Sequence, residues 1–445
     1  MQVYKILLPI AVDEPFDYLP TPTPPLREGL NNNSPLPEGG VGGGLPTGQL
    51  VYVPFRRGEE LAVVMGSGKT ALPPSKIKTV TEVLDLPPLK PELLKFVQFV
   101  ADYNLAHLGS VLKMVLSVKF TKKQFEPSPT PPSGRGISWL PSPKGRGAAS
   151  VNSLPFRGRV REGLVKPTLS EKQTEAANNL IAKINGFSCT LLDGVTGSGK
   201  TEVYFEAIEA ALAQGKQALV LLPEIALSHQ WLSRFEARFG FAPSIWHSDR
   251  TPKQRRDEWL GAHLGHAKIV VGARSALFLP FKNLGLIVVD EEHDASYKQE
   301  EGVIYHARDM AVARAAVEKI PAILVSATPS IESINNVAEA KYQLLQLPER
   351  FSGTVLPKMQ IVDMRAEKLP STEFVSGKML TELGKAIAAG QQAIIFLNRR
   401  GFAPLTLCRA CGHRIQCPHC SAWLVMHRVG SKQQTASSKE SAHLL

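Results

Sequence analysis

The chain has no apolar run approaching the ~20 residues that span a bilayer, which excludes a membrane-crossing helix. Its first ten residues lack the basic segment and cleavage site of a signal peptide. Cysteine is sparse, five in 445 residues, and four of the five form CxxC pairs near the C-terminus. In a chain without export features, such pairs point to metal rather than disulfides. Together these absences predict a cytoplasmic protein that does not use a membrane. At 445 residues it is long enough for two to four domains.

A net charge of +11 suggests a nucleic-acid partner. Much of it is local. Residues 121–166 hold nine Lys or Arg against two Glu, so +7 sits in one Pro/Gly-rich stretch. The remainder is mildly basic, and charge alone does not decide the partner.

Residues 21–47 and about 126–166 are dominated by Pro, Gly, Ser and Asn or Arg, compositions that bury too little apolar surface to order themselves. Both contain Thr-Pro-Pro, and Arg27-Glu28-Gly29-Leu30 recurs as Arg161-Glu162-Gly163-Leu164. They read as inserted low-complexity linkers; the alternative is two unrelated surface loops. Residues 1–20 and 48–85 read as short strands, and 89–116 as a helix with Leu93, Phe96, Val97 and Val100 on one face. From 169 to about 347, apolar strands alternate with amphipathic helices, the pattern of a parallel α/β sheet. The expected strands are 189–192, 218–222, 268–271, 286–289 and 322–325, with another at 393–397 opening a new unit.

Gly194-Val195-Thr196-Gly197-Ser198-Gly199-Lys200-Thr201 matches the phosphate-loop pattern at every fixed position, between a strand and a helix. Its backbone amides would surround ATP's phosphates at a helix N-terminus. Lys200 would reach the β- and γ-phosphates and Thr201 would hold Mg2+. Gly66-Ser67-Gly68-Lys69-Thr70 looks similar, but Val63 replaces the first glycine and Pro73-Pro74 bars a helix. It reads as a surface turn. The strand 286–289 ends in Asp290-Glu291-Glu292-His293. A carboxylate there sits near the phosphate loop in such sheets. Asp290 would hold Mg2+, and Glu291 would orient and deprotonate a water.

Cys408, Cys411, Cys417 and Cys420 give C-x2-C-x5-C-x2-C, a spacing suited to tetrahedral Zn2+. His413 and His419 read as bystanders, and Cys189 as a small buried apolar residue.

Several longer strings resemble one family, the primosomal protein N′ or replication-restart helicases of superfamily 2. Leu222-Pro223-Glu224-Ile225-Ala226-Leu227 is similar to motif Ia, and Gly272-Ala273-Arg274-Ser275-Ala276-Leu277-Phe278 to motif Ib. Ser326-Ala327-Thr328-Pro329-Ser330 resembles motif III, which links hydrolysis to DNA grip. The acidic box continues through Tyr297, Lys298 and Gln299 to Tyr305-His306-Ala307-Arg308-Asp309, like the family's aromatic-rich loop. Asn398-Arg399-Arg400-Gly401-Phe402-Ala403-Pro404 matches its entry into a second lobe.

The resemblance implies a RecA-like parallel-sheet helicase lobe, a small β-rich N-terminal DNA-binding domain and a C-terminal zinc-binding segment with four cysteine ligands. It implies a 3′-to-5′ ATP-dependent helicase acting on branched and single-stranded DNA, with single-strand-binding protein and other primosome proteins as partners. It adds Gln173 and His293 to the ATP site, Gln173 as a reader of adenine. Gln173 could equally be an exposed helix-start residue. Tyr297, Lys298, Tyr305, His306, Arg308 and Arg274 become DNA contacts, although a packed surface loop is the alternative for the aromatic segment. Phe16 and Asp17 would lie at a pocket for a 3′ DNA end, unless Phe16 is plain β-core.

The implied divisions are 1–88 (3′-end domain, with 21–47 inserted), 89–120 (remnant of a winged-helix region), 121–166 (linker) and 167–350 (ATP-binding lobe). The start of a second lobe at 351–407, a zinc segment at 408–427 and a disordered tail at 428–445 follow. The family pattern has eight cysteines; with four, either one Zn2+ is shared or neither site closes. It also has later motifs with arginines that this chain lacks. The expectation is therefore a fragment that binds ATP, hydrolyses it slowly and does not unwind DNA.

Overall fold

The computed structural model describes residues 2–20, 44–120, 166–223, 229–350, 358–364, 366–367 and 375–396, with backbone alone for 426–427 and 443–444. Two units result, 1–354 and 355–445.

The first unit opens with β1 (Gln2–Leu7), β2 (Phe16–Tyr18), β3 (Leu50–Phe55), β4 (Gly58–Lys69) and β5 (Glu82–Val83). They form one antiparallel sheet in the order β2-β1-β4-β3-β5. The Gly66–Thr70 string is not a turn. Lys69, Gly68, Ser67 and Gly66 pair in register with Gln2, Val3, Tyr4 and Lys5 of β1. Pairing with a neighbouring strand overrides the local turn signal of the glycines.

The helix expected over 89–116 divides into α1 (Pro91–Tyr103) and α2 (Leu108–Val115). The break lies at Leu105, whose φ of 52° is left-handed and non-helical. Asp13 fixes the restart, accepting from the Leu108 amide at 3.3 Å while its other oxygen meets His107 Nδ1 at 2.9 Å. Gly109 is required here: a Cβ would lie 2.1 Å from the Ile10 carbonyl oxygen.

The larger part contains α3 (Glu171–Ala182), β6 (Ser188–Gly194), α4 (Lys200–Ala213), β7 (Gln217–Leu221) and α5 (His229–Phe239). β8 (Ser244–Trp246), α6 (Pro252–Leu264), β9 (Ile269–Gly272) and β10 (Leu284–Asp290) follow. A short hairpin, β11 (Lys298–Gln299) and β12 (Tyr305–His306), precedes α7 (Ala307–Glu318), β13 (Pro321–Ser326), α8 (Ile331–Ala338) and β14 (Gln343–Leu347). Seven strands form a parallel sheet in the order β14-β6-β13-β10-β7-β9-β8. Strands β7, β9, β10 and β13 are buried along their whole length. Helices cover both faces of such a sheet, so its central strands read as unbroken apolar runs.

The N-terminal helices share a core with this sheet. Phe96 of α1 packs against Phe278 with ring centres 5.5 Å apart. Trp259 of α6 donates its indole N–H to the Val115 carbonyl at 2.8 Å. Arg314 of α7 is fully buried, pairs with Glu318 at 2.9 Å, and lies over Phe96 and Phe281. Stacking and pairing offset the cost of desolvating that guanidinium.

In the second unit, α9 (Gly377–Ala388) is capped by Ser376, whose hydroxyl accepts from the Met379 amide at 3.1 Å. The strand expected from residue 393 does not form across 393–396, where Ile394 and Phe396 are exposed. Among the described residues no strand pairs with this segment, and apolar composition alone cannot complete a ladder. Both proposed insertions, the Asn398–Pro404 string, the cysteine cluster and the tail lie largely or wholly outside the described residues.

Candidate functional site

β6 delivers the chain into the phosphate loop and α4 takes it away. Gly197 and Gly199 have φ of 83° and 80°, a region other residues rarely enter. At 199 a Cβ would stand 2.3 Å from Gln173 Nε2. The Lys200 ammonium donates to the Gly194 carbonyl at 2.6 Å, inside the loop it would leave for a phosphate. Burial holds its pKa below the ordinary lysine value. The Ser198 hydroxyl is buried without a hydrogen-bond partner, a polar group left open at the loop.

Gln173 is buried rather than an exposed helix-start residue. Its side-chain oxygen accepts from the Ser170 amide at 2.8 Å, completing a capping box at the start of α3. Its amide nitrogen donates to the Ser198 carbonyl at 2.7 Å. In this arrangement Gln173 braces the phosphate loop while lining the cleft beside it.

A cleft of about 440 Å³ is lined by Gln173, Gly197, Lys200, Thr201, Asp290 and Glu291, among others. Asp290 ends β10 and is nearly buried. Burial pushes its pKa up to about 6, against the opposing hydrogen bond from Tyr204. One carboxylate oxygen accepts from the Tyr204 hydroxyl at 2.9 Å and the other from the Glu291 amide at 3.0 Å. Glu291 has a φ of 48°, a strained value for a residue with a side chain. The turn sets Glu291 facing the cleft and Glu292 facing inward. The cleft therefore gathers an ammonium, a hydroxyl and two carboxylates, the donor set that fits a magnesium-nucleotide. His293 Nδ1 lies 3.7 Å from the Glu291 carboxylate and 2.7 Å from the Ser326 hydroxyl, which accepts from the Thr328 amide at 3.0 Å.

Glu292, given no role by sequence reasoning, is fully buried. It accepts from the Ser330 amide at 2.7 Å, the Ser330 and Ser333 hydroxyls at 2.9 Å each, and Arg308 at 3.2 Å. The signal was its place between strand-end acids, but sequence spacing does not reveal which of adjacent carboxylates points inward.

The expected DNA contacts fare unevenly. Tyr297 is 1% and Tyr305 4% exposed, so neither offers a face on which a base could stack. Tyr297 is instead held between main-chain carbonyls, and Tyr305 packs edge-on against Phe278. Arg308 is buried and committed to Glu292, Asp309 and the Ser330 hydroxyl, not to a phosphate. Lys298 is exposed. Arg274 donates to the Lys298 carbonyl at 2.5 Å, which ties the motif Ib segment to the hairpin. His306 is half-buried in that hairpin. In β2, Phe16 is partly exposed and Asp17 pairs with Lys5 at 2.5 Å. That bond holds the Asp17 carboxyl below its usual pKa.

Residues 224–227 of the motif Ia string, and Cys408, Cys411, Cys417 and Cys420, lie outside the described residues. Among the described residues no cluster of three His, Cys, Asp or Glu could hold a metal. Cys189 is buried and its thiol pKa is raised by burial.

The chain is similar to known proteins along most of its length. The family model for the DEAD/DEAH box helicase matches residues 170–337, and that for the 3′ DNA-binding domain matches 5–117, running through α1 and α2. The replication restart protein PriA of Rickettsia felis is 40% identical over 433 residues, 97% of this chain and 59% of its own length. That of Haemophilus influenzae is 36% identical over 435 residues, again 59% of its length, and that of Bacillus subtilis is 46% identical over 243 residues, 30% of its length. The chain thus spans about three-fifths of the length of the Rickettsia relatives it matches. With a helicase ATP-binding lobe joined to a 3′ DNA-binding domain, the chain belongs to the PriA replication-restart family.

Proposed function

We propose that this chain binds Mg2+–ATP between the phosphate loop and the acidic box and uses it in an ATP-dependent 3′-to-5′ DNA helicase of the replication-restart primosome. The observation carrying this reading is the shared cleft: Lys200 and Thr201 at the start of α4 line it together with Asp290 and Glu291 at the end of β10. The orphaned Ser198 hydroxyl supports the fit, since a buried polar group without a partner asks for a ligand.

In this reading, Lys200 leaves the Gly194 carbonyl for the β- and γ-phosphates, and the amides of 194–201 orient the triphosphate. Thr201 and Asp290 would hold Mg2+, which when bound neutralises charge on the phosphates. Glu291, turned outward by its left-handed backbone, orients a water and takes its proton. His293 meets Ser326, and Glu292 accepts from Ser330 and Ser333, so hydrogen bonds join the acidic box to the motif III string and the helix after it.

Branched DNA is the proposed substrate, with a 3′ end at Phe16 and Asp17 and single strand along Arg274, Lys298 and His306. Single-strand-binding protein and primosome components are the proposed partners, and a cytoplasmic location follows from that role. The four cysteines are proposed to share one Zn2+, supported by their spacing.

The test is steady-state ATP hydrolysis by the 445-residue chain with and without single-stranded DNA. Stimulation by DNA that is lost in Lys200→Ala supports the motor. Because the chain spans 59% of the Rickettsia relatives' length, a second reading is ATP and DNA binding without unwinding. A trace rate indifferent to DNA supports that one.

A further inference from the structure

We propose that Tyr204 is a positioning residue for the magnesium site, orienting Asp290 through its phenolic oxygen. The inference rests on the nucleotide reading above.

Tyr204 lies one turn into α4 from Thr201 and is fully buried. Its oxygen meets two groups. It donates to Asp290 at 2.9 Å and accepts the indole N–H of Trp231 at 2.8 Å.

The proton inventory determines the direction of every bond. A phenol has one proton, and an indole N–H can only donate. Trp231 therefore occupies an acceptor position on the Tyr204 oxygen. The ionised carboxylate can only accept, so the phenol's single proton goes to Asp290. The Glu291 amide occupies the other Asp290 oxygen at 3.0 Å, so the carboxylate is held at both ends.

Nothing in a phosphate-loop pattern demands a tyrosine three residues past the threonine. A phenylalanine would fill the same space among Phe205 and Trp231 without setting these protons. Trp231 extends the arrangement to α5, so the orientation of Asp290 depends on how that helix packs on α4.

The experiment titrates a fluorescent N-methylanthraniloyl derivative of ATP into the full chain, once with MgCl2 and once with EDTA. Wild type, Tyr204→Phe and Trp231→Phe are compared, with Tm recorded for each. The expected result is a magnesium-dependent gain in affinity that falls about tenfold in Tyr204→Phe and about threefold in Trp231→Phe, the scale of one lost charge-assisted hydrogen bond and of a weaker one behind it. Affinity in EDTA stays within about twofold, since loop amides and Lys200 are untouched. An intact magnesium gain in Tyr204→Phe, or equal losses with and without Mg2+, overturns this inference alone. Wild-type protein without any magnesium-dependent affinity overturns the nucleotide reading and this inference with it.

Discussion

The Tyr297 hydroxyl lies 2.6 Å from the main-chain carbonyl of Asp290 and 3.0 Å from that of Leu221, pinning the C-terminal ends of β10 and β7 to each other. A residue placed by family resemblance among DNA-stacking aromatics is thus a strut beneath the acidic box. Tyr297→Phe removes the single proton these two buried carbonyls share, a cost of about 1–2 kcal/mol, and lowers Tm by a few degrees. Affinity for single-stranded DNA stays unchanged. Fluorescence anisotropy with a labelled oligonucleotide checks it; a large loss of DNA affinity at unchanged Tm would return the ring to a stacking role.

Glu292 and Arg308 form a buried pair at 3.2 Å. Removing either partner strands the other in the interior, at roughly 3 kcal/mol or more. Glu292→Ala and Arg308→Ala are each expected to destabilise strongly, and the double variant by much less than their sum. Urea unfolding of the three variants measures this. Additive losses would mean the two side chains do not interact.

Asp290 carries a built-in conflict between stability and function. Its folded pKa of about 6 lies above the ordinary 3.8, because burial disfavours the ion. Between those values the folded state holds more protons than the unfolded one. Stability therefore falls as pH rises through that window and stays reduced above it. Asp290→Asn removes the buried charge and is expected to stabilise the metal-free chain at pH 7.5 by roughly 1–3 kcal/mol, with no gain near pH 4. It also abolishes magnesium-dependent binding. Thermal unfolding at the two pH values in EDTA tests the sign; a less stable variant at pH 7.5 would refute it.

The cysteine cluster makes a compositional prediction. Metal analysis of purified protein is expected to find about one Zn2+ per chain, lost when Cys408 and Cys411 are both changed to Ser. Zinc-free wild-type protein would leave the four thiols without that role.

Much of the nucleotide cleft could be read in the chain because its parts are local. Gly194 to Thr201 is one string whose glycines have a steric reason, and Asp290 closes an apolar run that only a buried parallel strand explains. The five expected central strands lie at their places within a residue or two. β8 and β14 were not separated in the sequence because edge strands are short or alternate, without a continuous apolar signature. The break at Leu105 was invisible because neither Gly nor Pro marks it; Asp13, distant in sequence, supplies the cap. The inward turn of Glu292 and the burial of Tyr297, Tyr305 and Arg308 depend on contacts 16 to 76 residues away. A linear motif records that such residues belong together, but not which of them meets solvent.

The central claim is that Lys200 and Asp290 face one triphosphate. Calorimetric titration of a non-hydrolysable ATP analogue into the 445-residue chain, with Mg2+ and with EDTA, tests it most directly. The account predicts binding strengthened by Mg2+ in wild type, at least about tenfold weaker in Lys200→Ala, and indifferent to Mg2+ in Asp290→Asn. Equal affinity in all three proteins, whatever the metal, would contradict it.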